Sequence, residues 1–245
     1  MLVRRRPPAH TNSRWISPGV ASWLASRPWK SDKDGMRLGA VILAGGRSVR
    51  MGRPKEWLPL GDQPMLLHAC HVVSGCADPV LVVARERAQH LPPLPPGVDL
   101  LTDERQDAGP LAGLVQGMRH LGDHHHFAPG DAVLLTACDQ PFLTTGFLAS
   151  LAAHLGEHSL VMPRRDGHLQ PLAAVYRMDL LPIATQLLAS GSGTPRDLVG
   201  TGTTRVLDDG ELDALDPEGH CLGNVNTPED YARAVAWWSR RHGSG

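Results

Sequence analysis

Four short, mainly apolar segments recur along this chain, and their pattern restricts its fold more than any other feature. Three of them are followed by a stretch whose apolar residues have helical spacing. Mainly apolar strands that alternate with helices are typical of a parallel β-sheet with helices on both faces. We therefore predict an α/β fold with a mostly parallel central sheet. The predicted strands are residues 38–43, 79–84, 98–101 and 132–137, and the predicted helices are residues 64–74, 111–121 and 147–155.

The second half of the chain has a less regular pattern. Residues 160–162 and 172–176 predict two further strands on either side of a turn at Asp166-Gly167. A final helix is predicted to begin at Pro228, with Thr227 as its N-cap. Because no linker divides the chain after residue 36, we expect residues 36–245 to form a single domain.

The overall composition excludes several classes of protein. The 24 Lys and Arg residues nearly balance the 25 Asp and Glu residues, whereas a general nucleic-acid binder needs a basic surface for phosphate contacts. No run of 18 apolar residues occurs, so the sequence predicts no membrane-spanning helix. We therefore expect a soluble, cytoplasmic protein with no nucleic-acid partner and no membrane partner.

The first 35 residues differ from the rest of the chain in charge. They contain seven basic and two acidic residues, which gives them a net charge of +5. They have neither helical nor strand periodicity, and they lack the apolar region of a signal peptide. We expect residues 1–35 to be a disordered leader or an over-long gene start, because Met36 directly precedes the first strand. A transit peptide is the alternative.

The cysteines and histidines of the sequence predict neither a disulfide nor a metal centre. Cys70, Cys76, Cys138 and Cys221 form no C-x-x-C pair, and we expect them to be core residues in a reducing compartment. Residues 124–126 are three consecutive histidines, which we expect in a polar loop without a helical i, i+4 partner. All 13 histidines are expected to be solvated or part of the core.

The loop after the first strand has the composition of an anion-binding site. Two adjacent glycines, Gly45 and Gly46, allow backbone N–H groups to turn toward an anion. Four cations follow within nine residues, among them Arg50 and Lys55. A triphosphate fits these cations, although the spacing matches neither the P-loop nor the dinucleotide-binding motif. A flexible glycine turn with solvated arginines is the alternative.

A second candidate group lies at the end of the fourth predicted strand. Asp139 follows that strand, and Pro141 comes two residues later. In a parallel sheet, ligands bind beyond the carboxyl ends of the strands. A carboxylate at that position suits Mg²⁺, which proteins usually hold through one or two carboxylates together with substrate phosphates. The alternative is that Asp139 caps the turn that follows it.

Further polar residues are candidates for the same crevice. Asp103 ends the third predicted strand, and the Gly-Pro-Leu-Ala-Gly run at 109–113 allows a helix N-terminus to approach closely. Gln170 precedes a predicted strand, and Asn224 and Asn226 precede the final helix. Asparagines at such positions bind a polar ligand, complete a metal shell or cap the helix. The pattern favours capping.

In this order, the motifs resemble the molybdenum cofactor guanylyltransferase family, within the nucleotidyltransferases of sugar-nucleotide type. The resemblance runs from Leu38 to about Trp238 and leaves out the leader. It implies a three-layer, Rossmann-like nucleotidyltransferase fold. The motifs that carry it are Leu43-Ala44-Gly45-Gly46, Arg50-Met51-Gly52 with Lys55, Gly61-x-x-Pro64-Met65-Leu66, Asp103 with Gly109-Pro110-Leu111-Ala112-Gly113, Cys138-Asp139-x-Pro141-Phe142-Leu143, Gln170-Pro171-Leu172 and Asn224-Val225-Asn226-Thr227-Pro228-Glu229-Asp230.

The resemblance implies transfer of GMP from GTP to the phosphate of molybdopterin or of its molybdenum-loaded form, with release of pyrophosphate. A molybdopterin-synthesis or molybdoenzyme-maturation protein is a further expected partner. The implied catalytic residues are Arg50, Lys55 and Asp139, with Asp139 as the ligand of Mg²⁺. The implied nucleotide-binding residues are Leu43, Ala44, Gly45, Gly46, Lys55, Asp103 and Asp139, and Gln170, Asn224 and Asn226 are placed on the pterin side.

The sequence departs from the family pattern at two places, which keeps other functions open. The guanylyltransferases carry an asparagine at the end of the second strand, where this chain has Val82-Val83-Ala84. The segment Arg53-Pro54-Lys55-Glu56 is closer to the general superfamily form. A molybdopterin cytidylyltransferase and an NTP transferase for a sugar or alcohol phosphate are the enzyme alternatives. The other alternative is a non-catalytic carrier of nucleotide or cofactor, which would have no need of a metal-binding carboxylate.

Overall fold

A computed structural model of the protein describes residues 35–44, 51–85, 89–102, 109–191 and 193–242, so the predicted leader up to residue 34 lies outside the described residues. None of the described helices has the length and apolar character to cross a membrane. The strands are β1 (Leu38–Leu43), β2 (Pro59–Leu60), β3 (Gln63–Pro64), β4 (Val80–Ala84), β5 (Val98–Thr102), β6 (Ala132–Ala137), β7 (Leu160–Arg165), β8 (His168–Leu169), β9 (Ala173–Arg177) and β10 (Thr204–Leu207). The helices are α1 (Met65–Ser74), α2 (Gly109–His125), α3 (Thr145–Ala153), α4 (Leu181–Ala189), α5 (Asp209–Leu215) and α6 (Pro228–His242).

The mostly parallel central sheet that the sequence predicts is confirmed. Its strands lie in the order β10-β7-β9-β6-β1-β4-β5, with β8 paired to β7 and with β2 and β3 forming a separate hairpin. Strand β9 is antiparallel to β6 and β7, and the other pairings along this order are parallel. Since parallel strands end at the same edge of a sheet, the segments that follow β1, β4 and β6 meet at one edge.

Alternate residues of the central strands face opposite layers of helices. In β1, Ala40 and Ile42 belong to one buried cluster and Val41 belongs to another. Helices α1, α3 and α5 contribute to the first cluster, and α2 and α4 contribute to the second. The sheet is therefore covered on both faces in three layers, which explains why its central strands are apolar at nearly every position.

Helix α2 lies close to β1 because two glycines face that strand. A Cβ atom on Gly117 would lie 2.2 Å from Cγ2 of Val41, and one on Gly113 would lie 2.5 Å from Cδ2 of Leu43. Val41 is fully buried, so it has no space into which it could retreat. The close approach predicted for the 109–113 run is thus a contact between the helix and the strand beneath it.

A third buried cluster joins the segment before α1 to the last helix. Its members come from the β2–β3 hairpin, from the start of α1, from the chain before α6 and from α6 itself. Trp238 of α6 packs against the same cluster. This cluster fixes the chain near Lys55 against the chain near Asn226. The buried members are Leu58, Leu60, Met65, Val225 and Ala234.

The predicted polar loop at residues 124–126 is wrong for its first two histidines. Helix α2 continues through His125, beyond the predicted end at residue 121. His124 therefore does have a helical i, i+4 partner, because its ring stacks on that of His120 with the centroids 4.2 Å apart. The last turn of α2 is partly exposed and polar, so the apolar pattern stops before the helix does.

The four cysteines are free and buried, as the sequence predicts. Burial raises the pKa of the Cys70, Cys76 and Cys221 thiols to about 12. Because the thiolate is the reactive form of cysteine, these side chains behave as small core residues.

His68 is a core histidine on the buried face of α1, in agreement with the sequence expectation. Its side chain is 6% exposed, and its Nε2 lies 3.0 Å from the carbonyl oxygen of Pro141. Its Nδ1 is buried without a hydrogen-bond partner among the described residues. The neutral ring with the proton on Nε2 satisfies both observations, since Nε2–H then donates to Pro141.

We expect Gly117→Ala to destabilise the fold. The added methyl group would overlap Val41, and overpacking of a core typically costs about 1–3 kcal/mol in the free energy of unfolding. Urea denaturation measures this cost. Gly122→Ala is the matched control, because a Cβ atom there would lie 3.9 Å from the nearest atom, Cε of Met178. A Gly117→Ala protein as stable as the Gly122→Ala protein would contradict this account of the packing.

We expect the burial of His68 to make the fold less stable in acid. Burial lowers the pKa of His68 from 6.5 to about 4, although the hydrogen bond to Pro141 acts in the opposite direction. The unfolded chain therefore binds a proton that the folded chain rejects. Between these two pH values, this group should lower the free energy of unfolding by on the order of 3 kcal/mol as the pH falls.

Denaturation curves measured across this pH range test the role of His68. In His68→Gln, the part of the pH dependence that belongs to this group should disappear. His71→Gln is the matched control, because His71 is exposed on the same helix. Equal pH dependence in the wild-type and His68→Gln proteins would show that His68 is not held neutral by burial.

Candidate active site

At the carboxyl edge of the sheet, the ammonium group of Lys55 lies between two oxygen atoms. Its Nζ donates to Oδ2 of Asp139 at 2.9 Å and to Oδ1 of Asn226 at 2.8 Å. The side chains of Lys55 and Asp139 are 12% and 24% exposed, so water screens their attraction only in part. The structure thus brings together three residues that the sequence analysis proposed separately.

The three residues come from different elements that end at the same place. Asp139 follows β6, and Lys55 begins a short 3₁₀ helix, Lys55–Trp57. The N–H of Val225 donates to the carbonyl oxygen of Asp139 at 2.8 Å. Because Val225 is buried and Asn226 is exposed, this backbone hydrogen bond places the Asn226 amide beside Lys55.

Gln140, which the sequence analysis did not identify, holds the turn that carries Asp139. Its Oε1 accepts a hydrogen bond from Oγ1 of Thr136 at 2.9 Å and another from the N–H of Ala137 at 3.1 Å. Gln140 is 3% exposed, and buried amides of this kind require such partners. Gln140 therefore fixes the turn, while the Asp139 carboxylate pairs with Lys55 instead of capping.

The expectation that the asparagines cap the last helix is wrong for the Asn226 side chain. The cap of α6 is Thr227, as predicted, since its Oγ1 accepts from the N–H of Asp230 at 3.2 Å. The Asp230 carboxylate in turn accepts from the N–H groups of Asn226 and Thr227. Because Thr227 and Asp230 satisfy the start of the helix, the Asn226 amide is available to Lys55.

Beside the end of β1, a second amide that the sequence analysis missed holds Ala44. Nε2 of Gln89 donates to the carbonyl oxygen of Ala44 and to Oε1 of Glu56, the latter at 2.8 Å. Its Oε1 accepts from the N–H of Arg85 at 2.8 Å. Gln89 lies in an irregular segment, so no periodicity in the sequence indicates its position. The end of β4, which lacks the asparagine of the family pattern, thus has a glutamine amide nearby.

The other residues predicted to bind nucleotide are only partly described. The side chain of Leu43 faces Gly113 of α2, and its carbonyl oxygen accepts from the N–H of Cys138 at 3.0 Å. Leu43 is therefore part of the sheet and its packing, and its contact with a nucleotide stays a prediction. Four predicted site residues lie outside the described residues, namely Gly45, Gly46, Arg50 and Asp103.

Gln170 lies at the same edge of the sheet, but the structure does not bring it to Lys55. It precedes β9, whose first residue Ala173 pairs with Thr136 near the end of β6. Its Nε2 donates to the carbonyl oxygen of His168 at 3.2 Å. This hydrogen bond keeps the Gln170 amide within its own hairpin.

A cavity of about 520 Å³ opens beside Asn224. Its volume lies within the range of about 300–1,000 Å³ that is usual for small-molecule sites. The lining includes an indole ring and two guanidinium groups, and it also includes the Asp230 carboxylate, which forms an ion pair with Arg233. The indole ring and the guanidinium group of Arg240 suit a flat, anionic ligand. The residues that give the cavity this character are Phe142, His220, Asn224, Arg233, Trp237 and Arg240.

The oxygen atoms around Lys55 are also the kind of ligand that a hard divalent cation prefers. Carboxylate and amide oxygens serve such ions in proteins, usually together with water or substrate phosphate. Asp139 and Asn226 already face one positive charge, the ammonium group of Lys55. The site can therefore hold a divalent cation, a polyphosphate or both.

Comparison with known proteins identifies the family of the chain. Residues 40–206 match the family described as MobA-like NTP transferase domain. A probable molybdenum cofactor guanylyltransferase of Nostoc sp. (strain PCC 7120) is 33% identical over 201 residues, which make up 80% of this chain and 89% of the relative. A probable molybdenum cofactor guanylyltransferase of Mycobacterium ulcerans is 34% identical over 208 residues, or 83% of this chain and 96% of the relative.

The fold is also similar to solved structures. The molybdopterin-guanine dinucleotide biosynthesis protein A of Archaeoglobus fulgidus superimposes with a TM-score of 0.67 at 20% sequence identity. The match covers 82% of this chain and 99% of that protein. At this level of identity the likeness concerns the fold, and it agrees with the three-layer arrangement.

Proposed function

The chain belongs to the MobA-like NTP transferase domain family, and on that premise we propose that it transfers GMP from GTP to the phosphate of molybdopterin or of its molybdenum-loaded form. An oxygen of the acceptor phosphate bonds to the α-phosphorus of GTP, and the bond from that phosphorus to the bridging oxygen of the β-phosphate breaks. Pyrophosphate leaves with that oxygen. The two relatives named as probable guanylyltransferases support both the nucleotide and the acceptor.

The observation that carries this proposal is the position of Lys55 between Asp139 and Asn226. When one phosphate attacks another, the charges on both must be neutralised and the reacting groups must be aligned. Lys55 supplies a positive charge whose place is fixed by two hydrogen bonds. In this role it stabilises the charge that develops on the leaving pyrophosphate, and Arg50 is proposed to act beside it.

We infer that the divalent cation is Mg²⁺ and that Asp139 is its protein ligand, with the amide oxygen of Asn226 nearby. When bound, Mg²⁺ would neutralise the negative charge on the phosphate oxygens. Asp139 and Asn226 have a further task, which is to orient the Lys55 ammonium group toward the phosphates.

The two substrates would lie on either side of Lys55. We assign the nucleotide to the end of β1, with Asp103 beside it, and the pterin to the cavity next to Asn224, with Gln170 at the same edge. The nucleotide-binding residues of this assignment are Leu43, Ala44, Gly45, Gly46, Lys55, Asp103 and Asp139. We further propose that residues 36–245 form one domain. Because buried free thiols fit a reducing compartment, we place the reaction in the cytoplasm.

We propose Gln89 as the positioning residue for the base in place of the missing asparagine. It fixes the carbonyl oxygen of Ala44, the last described residue before the glycine loop, and it connects that residue to Glu56. A carbonyl oxygen held in this way can accept a hydrogen bond from an N–H group of guanine. The corresponding edge of cytosine has a different pattern of donors and acceptors. A preference for GTP over CTP is therefore expected to depend on Gln89.

We expect pyrophosphate release with molybdopterin, Mg²⁺ and GTP, and we expect its kcat to fall about 100-fold or more in Lys55→Ala and in Asp139→Ala. Lys55→Ala removes a positive charge that stabilises the leaving pyrophosphate, and Asp139→Ala removes the carboxylate that would hold Mg²⁺ and that orients Lys55. Asp123→Ala is the matched control, since Asp123 is exposed on α2. Turnover retained in Asp139→Ala would exclude Asp139 as the metal ligand. If the wild-type protein shows no turnover and the two variants lose affinity for GTP, the result would favour the non-catalytic carrier.

We expect Gln89→Ala to raise the KM for GTP by up to about tenfold, the equivalent of one hydrogen bond, with little change in kcat. The kcat/KM ratio of GTP to CTP should fall in the same variant. Steady-state kinetics with both nucleotides measure these values, and Gln186→Ala, exposed on α4, is the matched control. An equal effect on GTP and CTP would assign Gln89 a structural role alone. A wild-type preference for CTP would assign the chain to cytidylyl transfer.

A further inference from the structure

At the amino edge of the sheet, opposite the candidate active site, two histidine rings face one carboxylate. Oδ2 of Asp99 lies 3.4 Å from Nε2 of His120 and 2.8 Å from Nε2 of His125. Asp99 is near the start of the edge strand β5, and the two histidines lie near the end of α2. The three atoms all lie within 4.8 Å of one another.

We propose that Asp99, His120 and His125 form a binding site for a divalent transition-metal ion of the Zn²⁺ class. The site is distinct from the Mg²⁺ site at Asp139 and does not depend on the proposed reaction. In a tetrahedral Zn²⁺ site with bonds of about 2.0–2.1 Å, neighbouring ligand atoms lie roughly 3.4 Å apart. The Asp99–His120 distance already has this value, and the two histidine nitrogens lie within 4.8 Å of each other. A small rotation of the partly exposed His125 ring would adjust its distances to the other two ligand atoms.

The chemistry of the three ligands selects this class of metal. Imidazole nitrogen suits Zn²⁺, Cu²⁺ and Ni²⁺, whereas Mg²⁺ prefers a shell of oxygen atoms. A ligand to such an ion has to be deprotonated, and an aspartate carboxylate is ionised at neutral pH.

Neighbouring contacts hold the ligands in place while leaving the site open to solvent. The His120 ring stacks on His124 with the centroids 4.2 Å apart, and Nη1 of Arg37 donates to the carbonyl oxygen of His125 at 2.9 Å. The side chains of Asp99, His120 and His125 are 42%, 21% and 30% exposed. An ion can thus enter from solution, and water can complete its shell.

A metal at this site would join the edge strand β5 to the last turn of α2. Its binding should therefore stabilise the folded chain in proportion to the free metal concentration. This effect separates the site from histidines on a flexible surface, where a bound metal would connect no elements of the fold.

Isothermal titration of the full chain with Zn²⁺, in the presence of excess Mg²⁺, tests this proposal. We expect one Zn²⁺ per chain and a rise in Tm with Zn²⁺. The loss of an outer-shell partner typically weakens metal binding about tenfold or more, and the loss of a direct ligand should weaken it at least as much. We therefore expect Asp99→Asn, His120→Ala and His125→Ala all to bind Zn²⁺ less tightly. His126→Asn is the matched control, because it removes an adjacent, exposed histidine that is not one of the three ligands, and asparagine tolerates the φ of 57° at this position.

A Co²⁺ titration followed by visible absorption provides a readout that does not depend on stability. The wild-type and His126→Asn chains should show the absorption band of a four- or five-coordinate ion, and His125→Ala should lose it. Circular dichroism without metal checks that each variant folds. An absence of stoichiometric Zn²⁺ binding would overturn the proposal, and so would equal weakening in His126→Asn and His125→Ala.

Discussion

Strand β1 is enclosed on every side, and most of the architecture follows from that enclosure. Strands β4 and β6 hydrogen-bond to its two edges, and buried clusters cover its two faces. Helix α2 fits over it because Gly113 and Gly117 leave room for the side chains of Leu43 and Val41. A chain confined in this way can carry ligand-binding groups only where its strands end. The loops at the carboxyl edge therefore become the place for chemistry.

The candidate active site depends on contacts between distant parts of the chain. Lys55 is 84 positions from Asp139 and 171 positions from Asn226, and it hydrogen-bonds to both. The third buried cluster makes this possible, because it packs the segment after Lys55 against α6 and the chain before it. Partial burial then strengthens the interaction of the ammonium group with its oxygen partners. A positive charge held in this way is suited to phosphoryl transfer, in which positioning and charge neutralisation account for most of the catalysis.

The two edges of the sheet present different ligand chemistry. The carboxyl edge offers carboxylate and amide oxygens around a lysine, and the amino edge offers two imidazole rings and a carboxylate. Helix α2 runs between the two edges, so its packing on β1 determines where its last turn meets β5. The same glycines that seat this helix therefore also place His120 and His125 opposite Asp99.

The sequence by itself determined the six longest strands of the central sheet, helices α1, α2, α3 and α6, the mostly parallel arrangement and the loops that carry Lys55 and Asp139, because burial on both faces of the sheet leaves a local apolar pattern. It did not predict the short strands β2, β3, β8 and β10 or helices α4 and α5. It missed the last turn of α2, where solvent exposure ends the apolar pattern before the helix ends. It also missed Gln89, Gln140 and the group formed by Asp99, His120 and His125. Tertiary structure alone decided these, and it alone turned the Asn226 amide from its helix toward Lys55. The physical reason is that hydrogen bonds between distant segments depend on which strands become neighbours. The local spacing of residues in the sequence does not specify that pairing.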